Sequence, residues 1–173
     1  STACGNRFQE WLSNGKEKIS YDHRYVFSEI GYNIKPLDLQ AAIGLEQIKK
    51  LPDMDQARRE NFGKLMEIFK PYEDFLMLPE ATPKSDPCWF GYMISIKNSA
   101  GFSKKDLVSY LEKNKIQTRS YFTGNVLYHP GYHHLAEDGE NLLEKYPNAD
   151  FITRNTFFLG TYKGLTDDKL LYV

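Results

Sequence analysis

Apolar residues recur at helical spacing after Pro36: Leu39, Ala42, Ile43, Ile48 and Leu51 form a stripe that stops at Pro52. Pro36 suits a first helical position, and a proline inside a helix removes a hydrogen bond and clashes with the preceding turn. The pattern therefore predicts one helix from Pro36 to Leu51 and a second from Asp53 to Phe69, ended by Pro71. Phe62, Leu65, Met66 and Phe69 give the second helix its apolar stripe, with Arg58, Arg59, Glu60 and Lys64 on a wet face. Gly44 lies inside the first helix, where it costs about 1 kcal/mol against Ala, and a close helix–helix contact would offset that.

The period then changes. After a connector holding Pro79, Pro83 and Pro87, the run Trp89–Lys97 is aromatic and β-branched and reads as a strand. Ser103 with Asp106 three residues on forms a capping-box signature for a helix carrying Leu107, Val108 and Leu111 and fraying at Asn114. Ile116–Tyr121 reads as a strand, residues 124–139 as a loop, Pro147–Thr153 as a short helix and Thr156–Leu159 as a third strand. Thr166 caps a final helix. Strands alternating with helices predict an α+β layer with helices on one face. Two parts are expected: 1–70, an interface segment and helical part, and 71–173, a small α+β domain. Residues 1–32 read as irregular and hold Phe8, Trp11, Tyr21, Tyr25, Phe27 and Tyr32, a stretch expected to lie against another body of protein.

Composition narrows the classes. The 173 residues carry 22 Lys and Arg against 23 Asp and Glu, a net charge of −1, with 41% hydrophobic and 26% charged residues. That is ordinary globular usage, not that of a disordered chain. A near-zero net charge gives no general case for a nucleic-acid partner, and no apolar run approaches the roughly 20 residues of a membrane helix. Cys4 and Cys88 are the only cysteines, too few and too far apart for a disulfide framework, so a reduced cytoplasmic chain is expected. The chain opens on Ser1, a hint that something precedes it.

Candidate chemistry is sparse. His129, His133 and His134 cluster without the paired cysteines of a structural zinc site, so no metal is expected. Cys88 reads as a small buried hydrophobe rather than a nucleophile. Nucleotide-cradling glycine loops and a G-x-S-x-G elbow are absent. Asn33, followed by Lys35, stands just before a helix start, where unpaired N–H groups can hold an anion; from the residues alone a plain turn residue is the favoured reading. Arg119 ends a strand and opens into an aromatic loop with Tyr121, Phe122, Tyr128 and Tyr132. An arginine so placed can bind a phosphate or carboxylate bidentately, or simply lie on the surface. Flat rings beside Asn and His suit a sugar.

Five blocks in order carry a resemblance: Tyr21-Asp22-His23-Arg24-Tyr25; Gly31-Tyr32-Asn33-Ile34-Lys35 with Gln40-Ala41-Ala42-Ile43-Gly44; Asp86-Pro87-Cys88-Trp89-Phe90-Gly91-Tyr92; Lys115-Ile116-Gln117-Thr118-Arg119 with Gly124-Asn125; and His129-Pro130. Together they resemble the DegT/StrS family of sugar aminotransferases and dehydrases over nearly the whole chain. Within it the chain is most similar to the CDP-4-dehydro-6-deoxyglucose 3-dehydrases of lipopolysaccharide sugar synthesis. The resemblance implies the C-terminal part of an aspartate-aminotransferase-type fold (PLP fold type I). It also implies a homodimer with shared active sites, a nucleotide-sugar substrate and a pyridoxal or pyridoxamine phosphate cofactor serving as electron sink. The cofactor-facing residue, a Lys in the aminotransferases and a His in the dehydrases, would precede Ser1, so no catalytic residue is expected in this part. Alternatives are a sugar aminotransferase or a non-catalytic remnant that dimerises or binds sugar nucleotide.

The resemblance places Asn33 at the cofactor phosphate of the partner subunit and Arg119 and His129 at the substrate pocket. Phe90 would form the active-site wall, Asn125 a sugar contact and Lys35 a diphosphate contact. One dehydrase branch holds an iron–sulfur cluster on cysteines that include a Cys-x-Cys pair. The matching place here is Cys4-Gly5-Asn6, with one thiol where a cluster needs several, so no cluster is expected.

Overall fold

The computed structural model describes residues 7–32, 37–137 and 139–173. Cys4, Asn6, Asn33, Lys35 and Pro36 lie outside them. The N-terminal segment, expected to be irregular, is a two-stranded antiparallel hairpin of β1 (Phe8–Ser13) and β2 (Lys18–Asp22). Asn14 Oδ1 accepts from the N–H groups of Lys16 and Glu17, and Gly15 takes the left-handed φ of +86° that the tight turn requires. The register shifts between Gln9 and Leu12, which interrupts the alternation by which a strand is read. Leu12, Ile19 and Tyr21 are buried. The aromatics do not share one fate: Tyr21 is interior, whereas Trp11, Phe27 and Tyr32 are exposed.

Helix α1 runs unbroken from Asp38 to Phe69 with Pro52 inside it, so the two expected helices are one. Its first described turn is closed by the Leu37 N–H, which donates to Gln40 Oε1 at 2.8 Å. A proline removes one intrahelical bond and costs about 3 kcal/mol, but the helix beyond it is fixed by tertiary packing of Asn61, Phe62 and Leu65. A Cβ at Gly44 would meet nothing within 4 Å, so the close helix contact expected there does not occur among the described residues.

The second sheet has the order β3-β4-β6-β5, all antiparallel, from β3 (Leu76–Met77), β4 (Gly91–Ile96), β5 (Arg119–Ser120) and β6 (Thr156–Gly160). β3 carried no signal in the sequence; β4 and β5 are shorter than the runs that predicted them. Tyr92, Ile94, Ile96, Phe157 and Leu159 form one buried face, packed against Phe62 and Leu65 of α1. Val108 and Leu111 of α2 (Lys104–Lys113) and Leu170 of α5 (Asp167–Leu171) complete that core. α2 begins as its sequence predicts: Ser103 Oγ accepts from the Asp106 N–H, and the Asp106 carboxylate accepts from the Ser103 N–H. α3 (Leu142–Lys145) and α4 (Pro147–Asn155) lead into β6, and Phe151 and Ile152 of α4 share a groove with Met93, Ser95 and Thr156 on the sheet's other face.

A second, smaller core joins Leu12, Ile19 and Tyr21 of the hairpin to Tyr128 and Leu142. The expected boundary at residue 70 therefore separates neither core: α1 belongs to the sheet, and the hairpin belongs to the 121–142 region. Among the described residues no helix is long and apolar enough to cross a membrane.

Candidate functional site

Arg119 pairs with Phe158 across the sheet, so the two side chains share the face that carries Met93, opposite the apolar core. Phe90 and Phe122 close over Phe158: ring centroids lie 5.6 Å apart for Phe90–Phe158 and 6.0 Å apart for both Phe90–Phe122 and Phe122–Phe158. Phe158 is 8% exposed, whereas Phe90 and Phe122 stand 63% and 51% exposed, so the cluster presents two open rings on a buried one. Arg58 supports this edge from α1. Its Nη1 donates to Phe90 O at 2.9 Å and Trp89 O at 3.2 Å, and its guanidinium lies 5.9 Å from the Phe90 ring centre. Trp89 is held in turn by stacking on Phe62 at 4.1 Å. A cleft of about 690 Å³ opens beside them, lined by Arg58, Phe90, Lys115, Arg119, Phe158 and Tyr162 among others. Cations beside flat apolar rings match a ligand with an anionic part and a ring.

The expected site residues divide. The structure brings Arg119 and Phe90 to one face. Asn125 and His129 are interior instead, 4% and 0% exposed, so neither reaches that surface to touch a ligand. His129 Nε2 lies 2.7 Å from Thr123 O, and its Nδ1 accepts the Phe27 N–H at 3.3 Å. Burial pushes the imidazole pKa down, which keeps the ring neutral. Asn125 donates its backbone N–H to Thr153 Oγ1 at 2.6 Å and accepts from the Leu127 N–H, while its buried Nδ2 has no partner among the described residues. Asn33 and Lys35 fall outside the described residues. Cys88 is exposed rather than buried, because the chain around it is still a proline-punctuated loop and β4 begins only at Gly91.

Sequence reasoning missed the polar frame behind this face. Asp22, fully buried, takes Arg7 Nε at 2.8 Å and Arg24 Nη2 at 2.7 Å. Burial alone would raise the carboxyl pKa, but the bonds from Arg24 and Arg7 outweigh it and hold it below the usual range. Arg7 also donates to Thr118 O at 3.1 Å and pairs with Glu112 at 2.8 Å, while Glu112 accepts from the Thr118 N–H and hydroxyl. The residue before Arg119 is thereby fixed from three directions. Lys104, 7% exposed, donates to Thr153 O and lies 5.3 Å from the Tyr21 ring centre. The Tyr21-to-Tyr25 block is the one signal of this frame: its Asp22 and Arg24 form one of the two ion pairs.

The fold and these blocks define a member of a known class. The chain matches the DegT/DnrJ/EryC1/StrS aminotransferase family over residues 6–173 and belongs to it. It is 40% identical to the lipopolysaccharide biosynthesis protein RfbH of Salmonella typhimurium, over 98% of this chain and 38% of that protein. It is 41% identical to the dTDP-4-dehydro-2,6-dideoxy-D-glucose 3-dehydratase of Saccharopolyspora spinosa, over 98% of this chain and 36% of that protein. Among solved structures it is similar to the E. coli GDP-4-keto-6-deoxy-D-mannose-3-dehydratase with bound hydrated PLP. That match has a TM-score of 0.63 and 30% identity and covers 82% of this chain and 35% of that one. The chain thus spans under two fifths of the length of these relatives, and its fold is that of their type I PLP class.

Proposed function

We propose that this chain is part of a pyridoxal- or pyridoxamine-phosphate-dependent enzyme that removes the C3 hydroxyl of a nucleotide-linked 4-keto-6-deoxyhexose, in first place a CDP-linked one. The observation that carries this reading is the Arg119–Phe90–Phe122 face in a chain about 40% identical to a 3-dehydratase over nearly its whole length. The share of this chain is substrate binding: Arg119 offers a bidentate donor fork to a phosphate or sugar oxygen, and the open faces of Phe90 and Phe122 cover an apolar ring face.

When bound, the cofactor would supply the electron sink of the reaction. The described residues build no interior cradle for it. The buried Lys104 is already engaged on Thr153 O, and Arg7 and Arg24 are engaged on Asp22. Asn33 is the one residue of this chain proposed to touch its phosphate. The first half of α1 supports a shared, intersubunit arrangement. Leu39, Ile43, Leu45, Ile48 and Leu51 are each more than half exposed and point to more than one side of the helix, a pattern of helices buried all round.

The test is to supply the complete gene product with cofactor, an amino donor or an electron donor, and CDP-, dTDP- and GDP-linked 4-keto-6-deoxyhexoses, and to weigh the products. A product lacking the C3 oxygen and carrying no new nitrogen is expected. A product that gains an amine assigns a sugar aminotransferase instead. Binding without turnover assigns the non-catalytic alternative.

A further inference from the structure

The turn Tyr121–Gly124 carries Phe122 to the substrate face, and it holds that ring in an unfavourable backbone conformation. Phe122 has φ of +46°, in the left-handed region that L residues with bulky side chains avoid. The Gly124 N–H closes the turn on Tyr121 O at 3.2 Å, and Gly124, at φ +61°, lies against the Thr153 side chain with no room for a Cβ. What keeps Phe122 there is not burial of its ring, which is half exposed. Beneath the turn, two successive carbonyls are each held by a buried side chain: Tyr21 Oη donates to Phe122 O at 2.6 Å, and His129 Nε2 meets Thr123 O at 2.7 Å. A carbonyl only accepts, so Nε2 carries the imidazole hydrogen and Nδ1 is free to accept from the Phe27 N–H.

We propose that Tyr21 and His129 are positioning residues of the substrate face, which together clamp the Phe122 turn and thereby aim the Phe122 ring beside Phe90 and Arg119. This rests on the reading that the face binds a nucleotide sugar, and it reassigns His129 from ligand contact to support. The two anchors come from different parts of the chain, β2 and the segment after the turn, yet their rings meet edge to face with centroids 6.0 Å apart. A third anchor completes the frame. Thr153 Oγ1 takes the Asn125 N–H, and Lys104 ties Thr153 O to the Tyr21 ring. The bonds of these anchors are made to backbone atoms, not to the exposed ring. Loss of one should move Phe122 without emptying the sheet core.

The test uses the complete gene product and the nucleotide sugar it turns over. Tyr21→Phe deletes one hydroxyl and keeps the ring; it should raise amide exchange across residues 122–125 by at least tenfold. It should raise KM three- to tenfold while kcat stays within twofold. Phe122→Ala should raise KM to a similar degree, and the double variant should be no worse than Phe122→Ala alone, because both changes act through one ring. His129→Leu should repeat the KM effect and His129→Gln, which restores a donor, should reduce it. If Tyr21→Phe does not fold, the two His129 variants decide the matter. Unchanged exchange, or faster exchange with unchanged KM, overturns the clamp while leaving the enzyme reading intact. A wild-type protein that binds no nucleotide sugar overturns that reading and the clamp with it.

Discussion

The molecule has two interiors of opposite character. The sheet core is apolar: Ile94, Ile96, Phe157 and Leu159 meet Leu65, Val108 and Leu170, and shape and area hold it. The junction under the substrate face is laced with polar and charged groups bonded to one another: Asp22 to Arg7 and Arg24, Tyr21 to Phe122 O, Lys104 to Thr153 O, Tyr128 to Asp150. Apolar packing tolerates many arrangements of similar volume, whereas buried hydrogen bonds tolerate few. The scaffold is built from the first kind of interior. The part that must present Phe122 and Arg119 in one geometry is built from the second.

The largest expected effect comes from breaking the apolar interior. Leu65, 1% exposed, packs from α1 onto the sheet. Leu65→Ala should cost about 3 kcal/mol in urea unfolding, with the same loss at pH 5 and at pH 8, since no titrating group is involved. Asp22→Asn attacks the other interior. It removes the counter-charge of two arginines and should cost about 2 kcal/mol at neutral pH, below the 3–5 kcal/mol of a fully buried pair because both arginines reach solvent. The Asp22 carboxyl titrates lower in the folded chain than in the unfolded one, so its contribution is complete above the unfolded carboxyl range near 4 and fades as pH falls through the depressed folded value. The penalty of Asp22→Asn should accordingly shrink in acid. A penalty that persists undiminished below pH 3 would show that Asp22 acts by shape rather than charge.

The same contrast explains what the sequence reveals. The sheet core was legible because its signals are local: the Trp89–Lys97 run, the Ser103–Asp106 cap and the apolar stripe of Phe62 and Leu65 each lie within a few residues. Pro52 misled because local propensity says break while the packing of residues 61–65 carries the helix through. The hairpin was hidden by its register shift. At the site, Arg119 could be read from a strand end, whereas Phe90 came only with the family resemblance; the register pairs Arg119 with Phe158, and the Phe90 ring packs on Phe158. Tyr21, His129 and Lys104 could not be read as a frame, since their bonds span 101 residues from Tyr21 to Phe122 and 49 from Lys104 to Thr153. The ligand contact expected of His129 came from the family resemblance, and nothing in its neighbourhood announces a fully buried ring.

The smallest expected effect sharpens the contrast through pH. Burial lowers the Lys104 ammonium to about 8 from 10.5, against the opposing pull of Asp22. Below that value the lysine is charged in both folded and unfolded chains, and the cost of burying the charge is fully present. Between about 8 and the unfolded value the unfolded chain binds the extra proton, so stability rises with pH. The bond to Thr153 O survives, because a neutral amine still donates. At the top of the window the tyrosines turn the trend. Tyr21 and Tyr128 are pushed well above their ordinary value by burial, and Tyr92 to about 12, so the unfolded chain ionises first and stability falls. Thermal denaturation should therefore show a gain of about 1–2 kcal/mol from pH 7.5 to 9.5, then a decline, and Lys104→Met should abolish the gain while keeping the decline. A flat profile in the wild type would mean that Lys104 keeps its charge through other contacts, and the polar interior would then be held by charge more firmly than its burial implies.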